Sequence, residues 1–534
     1  MPTALLSVYH KEGIVEFAKE LVELGWNLIA SGGTAKALTD AGIEVRDVAV
    51  LVGGGPILGH RVVTLSREVH AGLLAKDTPE DNQELSELGI PRIDLVCVDL
   101  YPLQAEIDKP GSTIESVIEQ TDIGGPTMIR SGAKGRRIVV CKPTDRQEVI
   151  RWLRDGQPDK DNFIKRLAAK AEAVVANYCL VSARYHSGGN YNGAIGHQTL
   201  VCKYGENAWQ TPAGLFGTDS EDPLALDKFK IVAGTDPSYN NLCDIDRLLQ
   251  TITHIAAAFQ LNRGKVPCIA VGVKHGNACG AAIGDYKIGV VKRMIEGDPV
   301  AIFGGLVMTN FIINQDVAEA LLTHVMPDGQ RRLLDGIVAP SFDYGVIPML
   351  QRKKDKCRLL ENRALEVLAS SLDAAPRFRY VRGGFLRQPN YTYILDLKDP
   401  RLEKFGEKLS MEEESDLLLA WAIGSTSNSN TITLVREGYL IGNGVGQQDR
   451  VGGCKLAIER ASRSRHIIVG AVAYSDSFFP FMDGPEVLVE EAGVNAFLAT
   501  SGSVNDERMK EYCKSRSRTL YLIPDAVGRG FYGH

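Results

Sequence analysis

The stretch Lys274-His275-Gly276-Asn277-Ala278-Cys279-Gly280 follows an apolar run at 268–273 and joins two residues able to do chemistry. A histidine exchanges a proton near neutral pH, and a neighbouring ammonium stabilises a developing oxyanion. Neighbours on an extended chain point to opposite faces, so the pair acts together only if it sits in a loop. The alternative is a strand-end histidine beside a solvated lysine. A zinc deaminase carries HxE with a downstream PCxxC; the partner cysteines are missing here, so no zinc is expected. Earlier, Ser31-Gly32-Gly33-Thr34 lies between an apolar run and a helical pattern, where backbone N–H groups and hydroxyls can cradle a phosphate. A tight strand-to-helix turn accounts for the same residues without a ligand. Residues 441–446 have glycines off the GxGxxG spacing, and a hairpin fits them better. Polar turns also stand out at 204–207, 238–241, 298–305 and 122–127.

These residues need elements to position them. Residues 4–8 read as a strand, and in 11–24 the apolar Ile14, Phe17, Ala18, Leu21 and Leu24 recur at helical spacing up to Gly25. Residues 26–30 are strand again, and a helix over 35–41 closes at Gly42. Apolar runs at 95–100 and 138–141 add strands to one parallel sheet, which predicts a βαβ nucleotide-type domain over 1–145. A helical connector, Ala-rich over 166–181, occupies 146–199 and includes a glycine-rich loop at 187–193. Over 200–534, strands expected at 268–273, 337–339, 431–435 and 467–473 alternate with helices at 241–260 and 412–423. This second part is α/β too, and long enough for two lobes.

The 534 residues are 44% hydrophobic and 24% charged, which excludes disordered and fibrous classes. A net charge of −6 gives no global field for nucleic acid or an anionic membrane, so the expected partners are small molecules. The ten cysteines form no CxxC pair and read as reduced core thiols. The start, MPTALLSVYHKEG, has no basic and apolar leader pattern, and no run reaches the roughly 18 apolar residues of a spanning helix. The expected location is the cytoplasm.

Taken in order and spacing, the segments 30–35, Val69-His70-Ala71-Gly72, Asp99-Leu100-Tyr101-Pro102, 122–127, 274–280, 444–450 and 475–481 resemble the bifunctional AICAR transformylase/IMP cyclohydrolase family of purine biosynthesis. The resemblance runs from Ser7-Val8 to His534. It implies an α/β chain with a methylglyoxal-synthase-like amino-terminal domain and a tandem cytidine-deaminase-like carboxyl-terminal region without zinc. The first domain would close formyl-AICAR to IMP with loss of water. The second would move a formyl group from 10-formyltetrahydrofolate to the AICAR amine.

Residue by residue, the resemblance makes His275 the general base and Lys274 the charge stabiliser of formyl transfer. Lys203, Tyr204, Gly304, Asp335, Asn430, Arg450 and Arg529 match nucleotide-contacting positions, and Val451, Phe478, Asp483 and Ser503 the folate side. Lys203 stands where Arg is usual and loses bidentate phosphate geometry. In the cyclohydrolase, Lys134, Tyr101 and Asp122 match catalytic positions; Lys11, Ser31, Gly32, Gly33, Thr34, Arg61 and Thr64 match substrate positions. This half departs from the family: Val63 replaces an active-site lysine, Asp99 an asparagine, Ser66-Arg67 a His-Pro, and Gly135-Arg136 an Asn-His. Valine can neither donate a hydrogen bond nor carry charge, so a neighbour such as Arg67 must substitute or the activity is impaired. The alternative reading keeps formyl transfer alone, over a degenerate first domain. A non-catalytic nucleotide sensor is the rival from another class, and the intact Lys274-His275 pair argues against it. The resemblance also implies a homodimer whose transformylase sites are shared, Lys274-His275 of one chain facing Asn430 and Arg450 of the other, and leaves room for a monovalent cation.

Overall fold

Five short strands build the first sheet, four of them mainly apolar: β1 (Thr3–Val8), β2 (Asn27–Ala30), β4 (Leu95–Asp99) and β5 (Ile138–Val140), with the two-residue β3 (Arg46–Asp47) at its edge. The computed structural model of the protein describes residues 1–59 and 61–533. The strands stand in the order β3-β2-β1-β4-β5, and every pairing is parallel. Both faces are covered, which is why Ala4, Leu5, Leu6 and Val8 of β1 are apolar and buried whichever face they meet. Ala4, Leu6 and Val8 pack with α1 (Ile14–Glu23) and α2 (Gly32–Asp40), while Leu5 points to the other face, among Val69, Leu73, Met128 and Ile129. The chain leaves β1 in one direction to reach β2 and in the other to reach β4. The crevice at the carboxyl ends of these strands is therefore a topological switch point, where open α/β sheets bind ligands.

Contacts divide the chain into two units, Met1–Ile195 and Gly196–His534. Of the stretch expected to connect the domains, 146–199, residues 146–195 belong to the first unit and 196–199 to the second. The Arg146–Arg154 helix buries Val149, Ile150 and Trp152 in the α1 cluster, and the Lys160–His186 helix lays Ala171 and Val175 against the opposite face. Their apolar stripes need a partner, and the sheet's helical layers provide it.

The second unit is built on a twelve-stranded sheet whose two halves repeat one order of elements. Each half opens with an edge strand (Lys230–Ala233, Glu403–Phe405), followed by a buried helix (Tyr239–Arg263, Met411–Gly424). A hairpin comes next (Cys268–Lys274 with Asn277–Gly284, Ile432–Arg436 with Tyr439–Gly444), and then three more strands. The halves join where Ala282 faces Tyr439 in antiparallel register, so the two hairpin turns lie at opposite ends of the sheet. Residues 441–446 do follow a hairpin turn, as their glycine spacing suggested.

Three local expectations change. The first helix starts at Ile14 rather than residue 11, because Gly13 adopts φ 68 and breaks the turn, leaving Lys11 in a loop. The second starts at Gly32 rather than 35. The strand expected over 467–473 is confined to Val472–Ser475: Gly470 takes φ 85, and Ile467 and Val469 are exposed. Seven of the ten free cysteines are buried, whereas Cys179 and Cys243 are exposed.

Candidate functional site

The carboxyl ends of β1, β2 and β4 open into a cavity of about 780 Å³. Ser7, Tyr9, Lys11, Ser31, Gly33, Thr34, Arg61, Val63, Thr64, Asp99, Tyr101 and Asp122 line it. Ser31 is the N-cap of α2 but does not cap it, since its hydroxyl is spent on Ser7 Oγ at 2.7 Å. Thr34 Oγ1 is likewise turned to the backbone of Val8. The first N–H groups of α2 are left for an incoming anion, at the end where the helix dipole favours one. Lys11 leans over the same turn: a Cβ on Gly33 would meet its Nζ at 3.9 Å. Its ammonium donates to Val8 O and, at 3.1 Å, to Tyr9 O. Burial lowers its pKa, and Asp99 works against that.

Across the cavity, the turn before the Gly124–Lys134 helix presents Asp122. Its Oδ1 accepts the Gly125 N–H at 2.8 Å and its Oδ2 the Tyr101 N–H at 3.4 Å. Burial nevertheless pushes the carboxyl above its ordinary range. Burial also raises Tyr101, and Asp122 adds to this. An added Cβ would come within 2.5 Å of Asp122 Oδ2 at Gly125 and within 2.8 Å of Thr64 Oγ1 at Gly124, so both glycines are required by close approach. A carboxyl and a phenol whose pKa values burial raises, beside an anion cradle, suit proton transfer within a phosphorylated substrate.

Sequence reasoning missed several members of this site, Tyr9 and Glu119 among the lining residues. His186 lines the cavity from the end of the Lys160–His186 helix, and Tyr178 of that helix accepts the Asp122 N–H at 2.8 Å while donating to Gln120 O. Neither stands in a motif. Other expected residues do not reach the cavity. Lys134 is exposed at the far end of the helix whose first turn lines it, ten residues and so about 15 Å along the axis. Arg67, the expected stand-in for the missing lysine, is exposed and pairs with Glu68 at 3.3 Å. Gly32 is exposed at the turn, with Gly33 and Thr34 as the lining residues. Arg61 is present but bonded to Glu119 at 2.8 Å.

In the second unit, the turn between Cys268–Lys274 and Asn277–Gly284 consists of His275 and Gly276, both at positive φ (52 and 70), as a two-residue type I′ hairpin demands. The two residues do not share a loop as expected: Lys274 closes the strand, paired with Asn277, and His275 opens the turn. Lys274 Nζ donates to Phe303 O at 2.7 Å, next to Gly304; Gly305 O accepts the Asp335 N–H, and Asp335 pairs with Arg352 at 2.9 Å. The Asn428 N–H donates to Asn277 Oδ1, drawing the loop of Asn430 to the same edge, where Asn430 Nδ2 donates to Gln447 O. Arg450 is bound to the buried Asp476, whose other oxygen accepts the Thr431 N–H. Arg529 pairs with Asp525 and lies over the Phe478 ring at 5.7 Å. Lys203 and Tyr204 sit in a separate loop, tied by Glu206 O to Asn240 at the start of the Tyr239–Arg263 helix. Val451 follows Arg450 in its helix, whereas Asp483 accepts the Gly484 N–H and Ser503 bonds to Asp506 and Asn505, each within its own turn. His534 lies outside the described residues. No group of three or more His, Cys, Asp or Glu among the described residues is placed to hold a metal ion.

A family model described as "AICARFT/IMPCHase bienzyme" matches residues 134–460, and one described as "MGS-like domain" matches 13–127. The bifunctional purine biosynthesis protein PurH of Anoxybacillus flavithermus is 36% identical over 516 residues, covering 94% of this chain and 95% of its own. The chain belongs to the AICARFT/IMPCHase bienzyme family. PurH of Desulfitobacterium hafniense is 34% identical over 529 residues, covering 95% of this chain and 96% of its own. Among solved structures, that of ForH is 35% identical, covering 36% of this chain and 100% of its own, with a TM-score of 0.33. The amino-terminal fold is thus MGS-like, and the remainder is the mixed α/β region of the bienzyme.

Proposed function

We propose that the chain makes IMP in two steps: formyl transfer from 10-formyltetrahydrofolate to the amine of AICAR, then dehydrative ring closure of formyl-AICAR. The carrying observation is that one chain, similar over nearly its whole length to proteins named bifunctional, holds both an anion-ready cavity and a Lys-His pair where a strand enters a hairpin turn. The residue assignments that follow belong to this reading. His275 takes the proton of the AICAR amine as its nitrogen attacks the formyl carbon, Lys274 steadies the oxyanion, and the folate nitrogen leaves with a proton. Asn430, Arg450, Gly304, Asp335, Lys203, Tyr204 and Arg529 hold the nucleotide; Val451, Phe478, Asp483 and Ser503 hold the folate.

In the first unit, the α2 end and Lys11 take the phosphate. Asp122 and Tyr101 move the two protons of ring closure, one from the carboxamide nitrogen and one to the departing hydroxyl. Formyl-AICAR forming on one unit and closing on the other gives both units a use, which the transferase-only reading does not. We further propose a cytoplasmic homodimer with shared transformylase sites; exposure of His275 and Phe303 in the single chain supports an edge completed by a partner. No described helix is long and apolar enough to cross a membrane. His275→Ala tests the first step: formyl transfer should fall by about 10²–10⁴ with AICAR binding kept within about tenfold. Undiminished turnover would remove the assignment.

A further inference from the structure

The second unit holds a cavity of about 490 Å³ that neither reaction step uses, a size within the roughly 300–1,000 Å³ of small-molecule pockets. Arg331 and Arg332 reach it from the loop after the Gln315–Thr323 helix, and Arg352, Lys353, Lys354 and Lys356 from the segment between the Val346–Leu350 helix and the Arg358–Glu361 strand. No carboxylate lines it, although the chain as a whole has a net charge of −6. Arg352 pairs with Asp335, but among the described residues no carboxylate stands within ion-pair distance of the other five cations. Arg332 makes the imbalance costly. It is 1% exposed, donates to Leu321 O at 3.0 Å and His324 O at 2.7 Å, and has an Nε with no partner among the described residues. Burial alone lowers its pKa to about 10. A buried cation ordinarily needs an anion, and a cleft lined by one sign of charge gathers ligands of the other. The rest of the lining is mainly apolar, with Leu322, Leu333 and Met349.

We infer that this cavity is a further nucleotide site, one that takes a nucleoside triphosphate and regulates formyl transfer. The phosphates lie against the lysines and arginines, and the base lies on the apolar lining. A run of adjacent phosphates matches cations clustered this densely, since guanidinium forks and ammonium points both suit phosphate oxygens. Two contacts join the cavity to the transformylase residues. Leu333 O accepts the Gly304 N–H at 2.7 Å, and the Arg352 guanidinium holds Asp335 Oδ1 at 2.9 Å. A bound triphosphate draws Arg352 off Asp335, so occupancy weakens AICAR binding, and AICAR weakens triphosphate binding by the same factor. This coupling, unlike the binding itself, rests on the reading of Gly304 and Asp335 as nucleotide contacts.

The test titrates ATP, and separately tripolyphosphate, into the full-length wild type and the double variant Lys353→Glu/Lys354→Glu by calorimetry, with far-UV circular dichroism as the folding control. Both lysines are exposed, and Lys353→Gln/Lys354→Gln replaces the pair if charge reversal impairs folding. ATP held in the catalytic sites binds both proteins alike, so a difference between them belongs to the cavity. The variant should bind ATP roughly tenfold or more weakly, with kcat and AICAR KM in the absence of ATP at wild-type values. Tripolyphosphate should bind the wild type more weakly than ATP, because it leaves the apolar lining uncovered. Saturating ATP should raise the AICAR KM of the wild type roughly fivefold or more beyond any rise in the variant. Equal ATP affinity of the wild type and the folded variant would overturn the site, and tripolyphosphate binding as tightly as ATP would overturn its assignment to a nucleotide. ATP affinity lost in the variant but without effect on the wild-type AICAR KM would overturn the regulation. Asp335→Ala with an unchanged AICAR KM would instead remove the reading beneath that coupling.

Discussion

Replacing Asp416 by Asn should change how the protein's stability depends on pH. Asp416 is buried, and burial holds its carboxyl at about 6 against an ordinary 3.8, although the N–H groups of Gly438 and Glu437 pull it down. A raised acid keeps a proton in the folded state that the unfolded chain releases. Stability is therefore lost as pH rises from about 4 to about 6, and the loss persists above. The shift is worth about 3 kcal/mol. For a unit the size of Gly196–His534, with an unfolding entropy of roughly 0.7 kcal/mol/K, that is about 4 °C in Tm. Calorimetry of both proteins between pH 4 and 7 reads the difference directly: Tm of Asp416→Asn minus that of the wild type should be about 4 °C more positive at pH 7 than at pH 4. His254 gives the opposite trend. Fully buried, with its pKa lowered to about 4 from 6.5, it costs stability as pH falls through that window. The two compensate in the wild type, and Asp416→Asn should uncover the steeper acid loss. An offset independent of pH would refute the reasoning.

Val63→Lys should speed ring closure, by up to the 10²–10³ that one oxyanion donor is worth, since Val63 lines the cavity and Arg67 does not; unchanged kcat with formyl-AICAR would show that another donor already serves. Lys11→Ala should raise the formyl-AICAR KM more than it lowers kcat, because its ammonium lies at the anion end rather than beside Asp122; a loss confined to kcat would contradict that placement. Mixing inactive His275→Ala and Arg450→Ala chains should restore up to about a quarter of the wild-type sites, since random exchange makes half the dimers mixed, each with one intact site. No recovery after confirmed exchange would place the site within one chain.

Much of the scaffold was legible because its signals are local. The spacing of Ile14, Phe17 and Leu21 gave the first helix, and the glycines after Ala30 gave the anion turn. The loop required of Lys274-His275 was met by His275 alone, since Lys274 stays in the strand paired with Asn277. What stayed hidden depends on contacts distant in sequence. Matching a motif gave Lys134 a role but could not say which end of its helix meets the cavity. Tyr178 and His186 lie on a helix whose composition looked like a connector, and no spacing ties them to Asp122. The strand expected at 467–473 failed because Gly470 takes a conformation that an apolar pattern does not encode.

The central claim, that one chain carries both reactions, is tested most directly by supplying AICAR and 10-formyltetrahydrofolate and following tetrahydrofolate and IMP together, with background closure subtracted using heat-inactivated protein. The account predicts that IMP appears in step with tetrahydrofolate. Tetrahydrofolate released while formyl-AICAR accumulates without IMP would contradict it.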